Sequence, residues 1–501
     1  MAARGTVQLL FARSCFMVGG YIIAVTLARE LGPVDFGVYG VIMSVLVWIE
    51  IASSSGVPAA TAKLVPEYER RKCDIEQTAT VFLFVFSAAL LVLCWYLAPA
   101  LAHLFRIRTG AGLFRIAILD LPLSGIYYAY QGVLRANRRF GTLSASLIIY
   151  SLTKVLGILL LTFLGLSVIG ALVVNIMATV GALVYLSMKA PLNQGRFDYT
   201  LLKPLFRVAL PLGVALAVMQ VLVNVDLWFL KHLWTGGGEV VGMYVASLNV
   251  SRLLTVVPIV VNGMLFSLLS WALAQRNEAL ARKYIQSATR FALVALLPAC
   301  VLMPLNAEAL MAFLYSGVYR AGGAYLRLQV IACGLFAILG ILANSIMATG
   351  RYFQPIAVLV FLMPVTYVLN QTLIPRFSGV GAATSLLVAT GLGVGAVAVM
   401  VYRRFGPPIK WLTLLRVVGA AVATGFLSKQ WGAEGAWLLL KLSALGGIYL
   451  SLLILMKELK QEDLEGFTLC RSDSQKAETD QFRAEVSRLP PPPMGEGSAV
   501  S

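Results

Sequence analysis

Five ionisable residues stand inside long apolar stretches of this chain, where charge is unusual. They are Arg13, Glu50, Lys154, Asp226 and Arg252. On insertion scales a charge at the centre of a membrane helix costs ~2.5–3.5 kcal/mol, so such a residue usually has a partner or a function. A water-filled cavity would let these side chains bind a charged molecule. Together with the amide Asn249 they are therefore the candidate binding residues.

Two of these residues, Arg13 and Glu50, lie at the same depth. Each stands about seven residues from the same end of its apolar stretch, which is ~10 Å of helix. Equal depth on adjacent helices permits a salt bridge. The bridge would be either a fixed contact between helices or part of a charged cavity floor whose pairing changes with conformation, and the sequence leaves both open.

The other central cations are Arg252 and Lys154, both near the middle of their stretches. Asn249 precedes Arg252 by three residues and so shares its helical face. A guanidinium in a cavity can bind a pyrophosphate through two parallel hydrogen bonds. Asp226 lies closer to one end of its helix than Arg252 does, so a direct ion pair between them is not expected.

Three further polar residues receive structural interpretations. Asp120 is expected in water, because it precedes Pro122 near one end of its apolar stretch. Asn224 is expected to join two helices. Lys441 is shallow enough to extend its ammonium to the membrane surface.

Residue types for other chemistry are scarce. The chain has two histidines, His103 and His232, and six cysteines without metal-ligand spacing. It also lacks a glycine-rich nucleotide-binding loop. We therefore expect no catalytic residue, no metal, no cofactor and no use of ATP, and we expect that the protein is not an enzyme.

The elements that carry these residues are membrane-spanning helices. Apolar residues make up 59% of the chain and charged residues 13%, whereas soluble domains are about one quarter charged. The apolar runs reach the ~20 residues that cross a bilayer, and they do not alternate as strands would. The sequence predicts an all-α protein with about fourteen spans, at 6–28, 37–57, 79–102, 114–134, 142–164, 168–188, 205–231, 240–268, 286–305, 324–347, 355–375, 379–402, 411–428 and 435–456.

The net charge of +17 is typical of nucleic-acid binding in a soluble protein. Here the basic residues concentrate in alternate loops, which is the positive-inside pattern of membrane proteins. We therefore expect no nucleic acid as partner and both termini in the cytoplasm. Gln8 and Arg13 interrupt the first apolar stretch, which favours an uncleaved first span over a signal peptide.

A weak internal repeat divides the spans. Residues 37–39 (GVY) open span 2 and residues 242–244 (GMY) open span 8, while RANRRF at 135–140 and ATGRYF at 348–353 follow spans 4 and 10. Six spans separate the copies, so both have the same orientation and form a parallel repeat. We predict two six-helix lobes at 1–190 and 191–402 and an added helix pair at 403–456. The polar composition of 457–501 predicts a disordered cytoplasmic tail.

Several loop motifs resemble the oligosaccharide flippases of the multidrug/oligosaccharidyl-lipid/polysaccharide exporter superfamily. They are LARELGP at 27–33, DFGVY at 35–39, GVPAATAK at 56–63, VGMY at 241–244 and ATGR at 348–351. Lys63 stands where the family usually has arginine. The resemblance covers about residues 1–456 and implies a two-lobed transporter that opens alternately to each side.

The same resemblance implies a function in cell-surface polysaccharide biosynthesis. The protein would move a polyprenyl-pyrophosphate-linked oligosaccharide across the cytoplasmic membrane. Its partners would be the bilayer, the lipid-linked glycan, and a polysaccharide polymerase or glycosyltransferases. Two alternatives stay open: a cation-coupled drug or metabolite antiporter of the same fold, which needs acidic cavity residues, and a membrane glycosyltransferase or polymerase, for which the outer loops are short.

Overall fold

The computed structural model describes residues 2–54, 56–165, 167–191, 195–351, 353–456 and 458. Within these ranges every regular element is helical, as the sequence predicts. The helices are α1 (Ala2–Ser54), α2 (Gly56–Glu67), α3 (Lys72–Leu104), α4 (Gly110–Ile118), α5 (Leu121–Ala136), α6 (Phe140–Phe163), α7 (Val168–Lys189), α8 (Leu202–Leu233), α9 (Glu239–Ser251), α10 (Val256–Ala274), α11 (Glu278–Leu305), α12 (Ala307–Tyr315), α13 (Gly323–Met347), α14 (Phe353–Phe405), α15 (Trp411–Gln430) and α16 (Trp437–Leu455).

Two of these helices, α1 and α14, each consist of two arms that meet at a kink. α1 and α14 each contain 53 residues, and a straight helix of that length would measure ~80 Å against a hydrocarbon core of ~30 Å. The backbone leaves helical geometry at Gly32 (φ 71°, ψ 173°) and at Ser378 (φ 56°, ψ −135°). Gly32 adopts positive φ without a steric cost because it has no Cβ.

The described residues contain 12 helices that are long and apolar enough to cross a membrane. Counting the two arms of α1 and of α14 separately gives about fourteen crossings, and the protein is a multi-pass membrane protein. The first and last spans therefore begin and end on one side, which we name the terminal face. The opposite side is the Gly32 face. We name α1–α7 the first half and α8–α14 the second half. The lobe boundaries given above, at 1–190 and 191–402, remain predictions from the sequence.

The C-terminal pair, α15 and α16, packs on α11. Tyr449 donates a hydrogen bond to the Val294 carbonyl at 3.1 Å. The sequence suggested that Lys441 extends its ammonium to the membrane surface, but its side chain packs against protein and is only 3% exposed. Its ammonium donates to Asn306 Oδ1 at 2.6 Å, and Asn306 Nδ2 donates to the Ser428 hydroxyl at 2.9 Å. These bonds tie α16 and α15 to the end of α11.

Glu458 is held against the terminal face just after α16. Its carboxylate pairs with Arg416 at 3.0 Å and with Arg290 at 3.5 Å. The rest of the predicted disordered tail, at 457 and 459–501, lies outside the described residues.

The connection between the two halves is attached to the first half. Asp198 pairs with Arg71, and its backbone N–H donates to the Thr78 hydroxyl at 3.1 Å. The Arg196 N–H donates to Asp74 Oδ1 at 2.9 Å. Hydrogen bonds from Thr200, and the nearby Arg71 guanidinium, lower the pKa of Asp198 below its ordinary value.

We expect the order of this connection to depend on the charge of Asp198. Its pKa is lower in the folded protein, so its contribution is complete above the ordinary value of about 3.9 and is lost as the pH falls below it. Hydrogen exchange at residues 195–201, corrected for the intrinsic effect of pH, should therefore show more protection at about pH 5 than at about pH 3.

The variant Asp198→Asn should have low protection in this segment at both pH values. Glu434→Gln is the control, because Glu434 is an exposed carboxylate that pairs with Arg320 on the Gly32 face. Protection in Asp198→Asn that equals the wild type would show that the carboxylate does not hold the connection.

Candidate functional site

A cavity of about 240 Å³ lies between the two halves. Both arms of α1 and the helix α6 line it from the first half, and α8 and α9 line it from the second. Its polar lining side chains are Tyr39, Ser44, Tyr150, Ser151, Lys154, Gln220, Asn224, Asn249 and Arg252. Among the described residues, the lining contains two cations, Lys154 and Arg252, one from each half, and no carboxylate.

On the terminal-face side of this cavity the halves meet through very close backbone contacts. The start of α8 packs on α2 and α3 in one apolar cluster that includes Val57, Leu83 and Leu205. A methyl group added at Gly56 would lie 2.0 Å from the Ala209 carbonyl oxygen. Only glycine at position 56 allows this approach, as in other helix contacts built on small residues.

On the Gly32-face side the two GxY motifs of the internal repeat contact each other. A methyl group at Gly37 would lie 2.8 Å from the Gly242 nitrogen, and one at Gly242 would lie 1.7 Å from the Pro33 carbonyl oxygen. Two further bonds join the halves here: Tyr319 donates to the Ala28 carbonyl at 2.8 Å, and Arg29 donates to the Phe313 carbonyl at 2.7 Å. The cavity thus has a tight contact between the halves on each side.

Lys154 belongs to a network of polar side chains in the first half. Its ammonium donates to Asn175 Oδ1, which also accepts a bond from Tyr150 at 3.2 Å. Asn175 Nδ2 in turn donates to Asp120 Oδ2 at 2.8 Å. Glu50 interacts electrostatically with Lys154 and Asp120. Two carboxyl groups behind the cavity wall therefore stabilise the charge of the lysine that faces the cavity.

Arg252 lies where the eighth span leaves α-helical geometry. Residues Arg252–Thr255 form a 3₁₀ turn between α9 and α10. The cause is Pro258, whose ring clashes with the carbonyl four residues earlier and which has no N–H to donate. The Arg252 guanidinium donates to Asn224 Oδ1 at 2.8 Å, and Asn224 Nδ2 donates to the Gln220 carbonyl at 2.8 Å.

Asp226 lies behind Arg252 and is fully buried. It accepts a hydrogen bond from the Tyr244 hydroxyl and interacts electrostatically with Arg252. Among the described residues no ion pair joins Asp226 to Arg252 at contact distance, in agreement with their different depths.

A match to a known protein family shows which family this chain belongs to. The family described as "Polysaccharide biosynthesis protein" matches residues 2–269. The chain belongs to this family. No curated protein matches the sequence.

Solved structures show the same fold. Lipid II flippase MurJ, in an inward closed conformation, superposes with a TM-score of 0.76 and 14% identity over 90% of this chain and 99% of that chain. An inward-facing multidrug resistance MATE family transporter of the MOP superfamily superposes with a TM-score of 0.64 and 15% identity, over 77% of this chain and 94% of that chain. A MOP superfamily transporter from Pyrococcus furiosus superposes with a TM-score of 0.51 and 16% identity, over 80% of this chain and 95% of that chain. The resemblance seen in the loop motifs is confirmed by the family match and by this shared fold.

The structure brings three of the six candidate residues of this family member to the cavity wall. Lys154, Asn249 and Arg252 line it, whereas Glu50 and Asp226 lie behind it. Arg13 is exposed and lies near Arg135. The salt bridge that equal depth permits between Arg13 and Glu50 is not formed, because Glu50 instead interacts with residues of α5 and α6, namely Ser124, Tyr128 and Lys154.

Two interpretations from the sequence were wrong or incomplete. Asp120 is 2% exposed rather than in water, because α7 covers it and supplies Asn175 as a partner. Asn224 does join helices, but it also lines the cavity and holds Arg252. One signal could have found it: Gln220, Asn224 and Leu227 recur at intervals of four and three residues on one face of α8.

The two glycine contacts predict opposite effects of adding one methyl group. Gly242→Ala should separate the halves at the Gly32 face, and Gly56→Ala should separate them at the terminal face, because each methyl would overlap a carbonyl oxygen. The measurement uses Tyr39→Cys in a protein whose own cysteines have been replaced. An impermeant thiol reagent is added from one side or the other, and labelling of this single cysteine is followed.

Labelling from the Gly32 face should rise in Gly242→Ala, and labelling from the terminal face should rise in Gly56→Ala. Gly446→Ala is the matched control, because a methyl there meets nothing within 4 Å. Equal changes from both faces, or changes in the control, would contradict the assignment of the two contacts as closures.

Proposed function

We propose that this protein is a flippase that moves a polyprenyl-pyrophosphate-linked oligosaccharide across the cytoplasmic membrane for cell-surface polysaccharide biosynthesis. The observation that carries the proposal is the cavity between the halves, where Lys154 and Arg252 are the only charged lining residues in the part of the chain that the structure describes. Membership of the polysaccharide biosynthesis protein family and the fold shared with the lipid II flippase MurJ support it.

The two cations suit a diphosphate. Arg252 can offer a planar pair of N–H groups to two phosphate oxygens, and Lys154 supplies a compact positive charge from the opposite half. Because the cavity lies within the membrane, these interactions are stronger than in water. The amides of Gln220, Asn224 and Asn249 are placed to bond sugar hydroxyls or phosphate oxygens.

Translocation follows from alternate opening of the two glycine contacts. The cavity of about 240 Å³ is smaller than the ~300–1,000 Å³ of ordinary ligand pockets, so the substrate enters when the halves separate at one face. Closing that contact and opening the other exposes the diphosphate and glycan to the opposite side, while the polyprenyl chain stays in the bilayer. The step needs no covalent chemistry.

The direction of transport follows from the charge of the terminal face. Basic side chains such as Arg71, Arg139, Arg290 and Arg403 lie there, and the positive-inside rule places such a face in the cytoplasm. We place both termini in the cytoplasm and the Gly32 face outside. Glycosyltransferases that build the glycan would then act on the terminal-face side and a polysaccharide polymerase on the other.

The second candidate function is a cation-coupled drug or metabolite antiporter, which the fold shared with MATE transporters favours. Its coupling groups would be the half-buried carboxyl of Glu50 and the buried carboxyls of Asp120 and Asp226. None of these three groups is among the residues that line the cavity, so a cationic substrate in the cavity would meet Lys154 and Arg252 first. That arrangement is less suited to a cation than to an anion.

We expect Arg252→Gln and Lys154→Gln to lose the copurifying lipid-linked glycan. Removing a charged hydrogen-bonding group costs about 2 kcal/mol, or roughly a thirtyfold weaker association. Native mass spectrometry of the purified protein measures the bound species. Arg252→Lys should retain part of the binding, because it keeps the charge but loses the paired N–H geometry.

Lys429→Gln removes an exposed charge outside the cavity and is the matched control. Removing a buried charge also leaves its partners unpaired, so melting temperatures in detergent must show that the variants remain folded. If folded Arg252→Gln retains the glycan, or if organic cations bind and depend on Glu50 or Asp226, the flippase proposal fails and the antiporter takes its place.

A further inference from the structure

A second cavity, of about 570 Å³, lies at the terminal face within the second half. It is formed by the end of α13 and by both ends of α14. Its polar side chains are Thr349, Arg351, Gln354, Arg403 and Arg404, and Phe361, Ala396 and Met400 belong to its apolar wall. No aspartate or glutamate is among the described residues that line it.

Local sequence explains how three arginines converge here. Gly350, three residues after the end of α13, has a positive φ (83°). This turn is followed by Arg351, which borders the cavity. Arg403 and Arg404 occupy the last turn of α14, where cations interact favourably with the helix dipole. Arg404 pairs with Glu278 at 2.9 Å. Arg351 and Arg403 have no side-chain hydrogen bond or ion pair to any residue that the structure describes.

At the corresponding junction of the first half, polar side chains bond to other residues of the protein. It follows span 4, as the Arg351 turn follows span 10. There Arg139 donates to the Lys189 carbonyl at the end of α7, at 3.3 Å, and Asn137 Nδ2 donates to Glu76 Oε1 at 2.8 Å. The positive-inside rule accounts for basic residues at both junctions. It does not explain why Arg351 and Arg403 of the second half border a cavity and bond to no side chain or carbonyl that the structure describes.

We propose that this cavity binds an anionic phospholipid from the leaflet at the terminal face. The headgroup phosphate lies between Arg351 and Arg403, which can each offer paired N–H groups to its oxygens. One acyl chain follows the apolar wall along Phe361, a side chain that is 69% exposed. Basic pockets between membrane helices bind acidic headgroups in this way.

The proposal concerns a site separate from the central cavity and does not depend on which substrate the protein moves. Free inorganic phosphate shares the headgroup chemistry, but it would use the arginines alone. A phospholipid needs both the arginines and the apolar wall, so substitutions in the two parts distinguish these ligands.

The experiment titrates the purified full-length protein with phosphatidylglycerol and, separately, with phosphatidylcholine of the same acyl chains, and follows binding by native mass spectrometry. In the double variant Arg351→Gln/Arg403→Gln, phosphatidylglycerol binding should weaken about tenfold or more. The control Arg276→Gln/Lys283→Gln removes two exposed charges of the same face outside the cavity and should bind as the wild type does. Phosphatidylcholine binding should not distinguish the variants.

A second variant, Ala396→Trp, keeps every arginine and fills the apolar wall. It should lose phosphatidylglycerol as well, with an unchanged melting temperature in lipid-free detergent. If Ala396→Trp binds phosphatidylglycerol as the wild type does, the apolar wall takes no part in binding, the arginines alone bind a phosphate, and the lipid proposal is wrong. Equal weakening in the Arg276/Lys283 control would show a general effect of surface charge and would also overturn it.

Discussion

A charge inside the membrane must have a partner, because no water is present to solvate it. The arrangement around the central cavity follows from this constraint. Lys154 is bonded through Asn175 to Asp120, and Arg252 is bonded to Asn224 with Asp226 nearby. Both cations can therefore remain charged at the cavity wall, while the carboxyl groups that support them stay behind it.

The same constraint limits how the two halves can touch. If ion pairs joined them across the cavity, separation would strand charges in the membrane. The halves instead meet through glycine contacts, at Gly56 on one side and at Gly37 and Gly242 on the other. Close packing of small residues depends mainly on dispersion and leaves no unpaired charge when it opens. Such contacts suit a protein whose halves have to separate at each face in turn.

In the C-terminal pair, α15 and α16, partners for a charged side chain attach these helices to α11. Lys441 is buried where α16 meets α11, and Asn306 and Ser428 complete its hydrogen bonding. A lysine buried in this way is costly to separate from its partners, so the pair is fixed to α11. At the terminal face Glu458 adds ion pairs to Arg290 and Arg416. The C-terminal pair is thus attached through charged side chains, whereas the halves meet at the cavity mouths through glycine contacts and, at the Gly32 face, through hydrogen bonds to backbone carbonyls.

By itself the sequence determined the all-α class, about fourteen spans, the family, and the positions that share one helical face, such as Asn249 and Arg252. These features depend on composition and on spacing along one helix, which the chain specifies locally. Only the tertiary structure decided which helices are neighbours and how each is rotated about its axis. Arg13 and Glu50 have equal depth, yet Glu50 points towards α5 and α6. Asp120 and Lys441 were expected at water, yet helices distant in sequence bury and bond them. Depth can be read from a single span, whereas a partner depends on how all the spans pack.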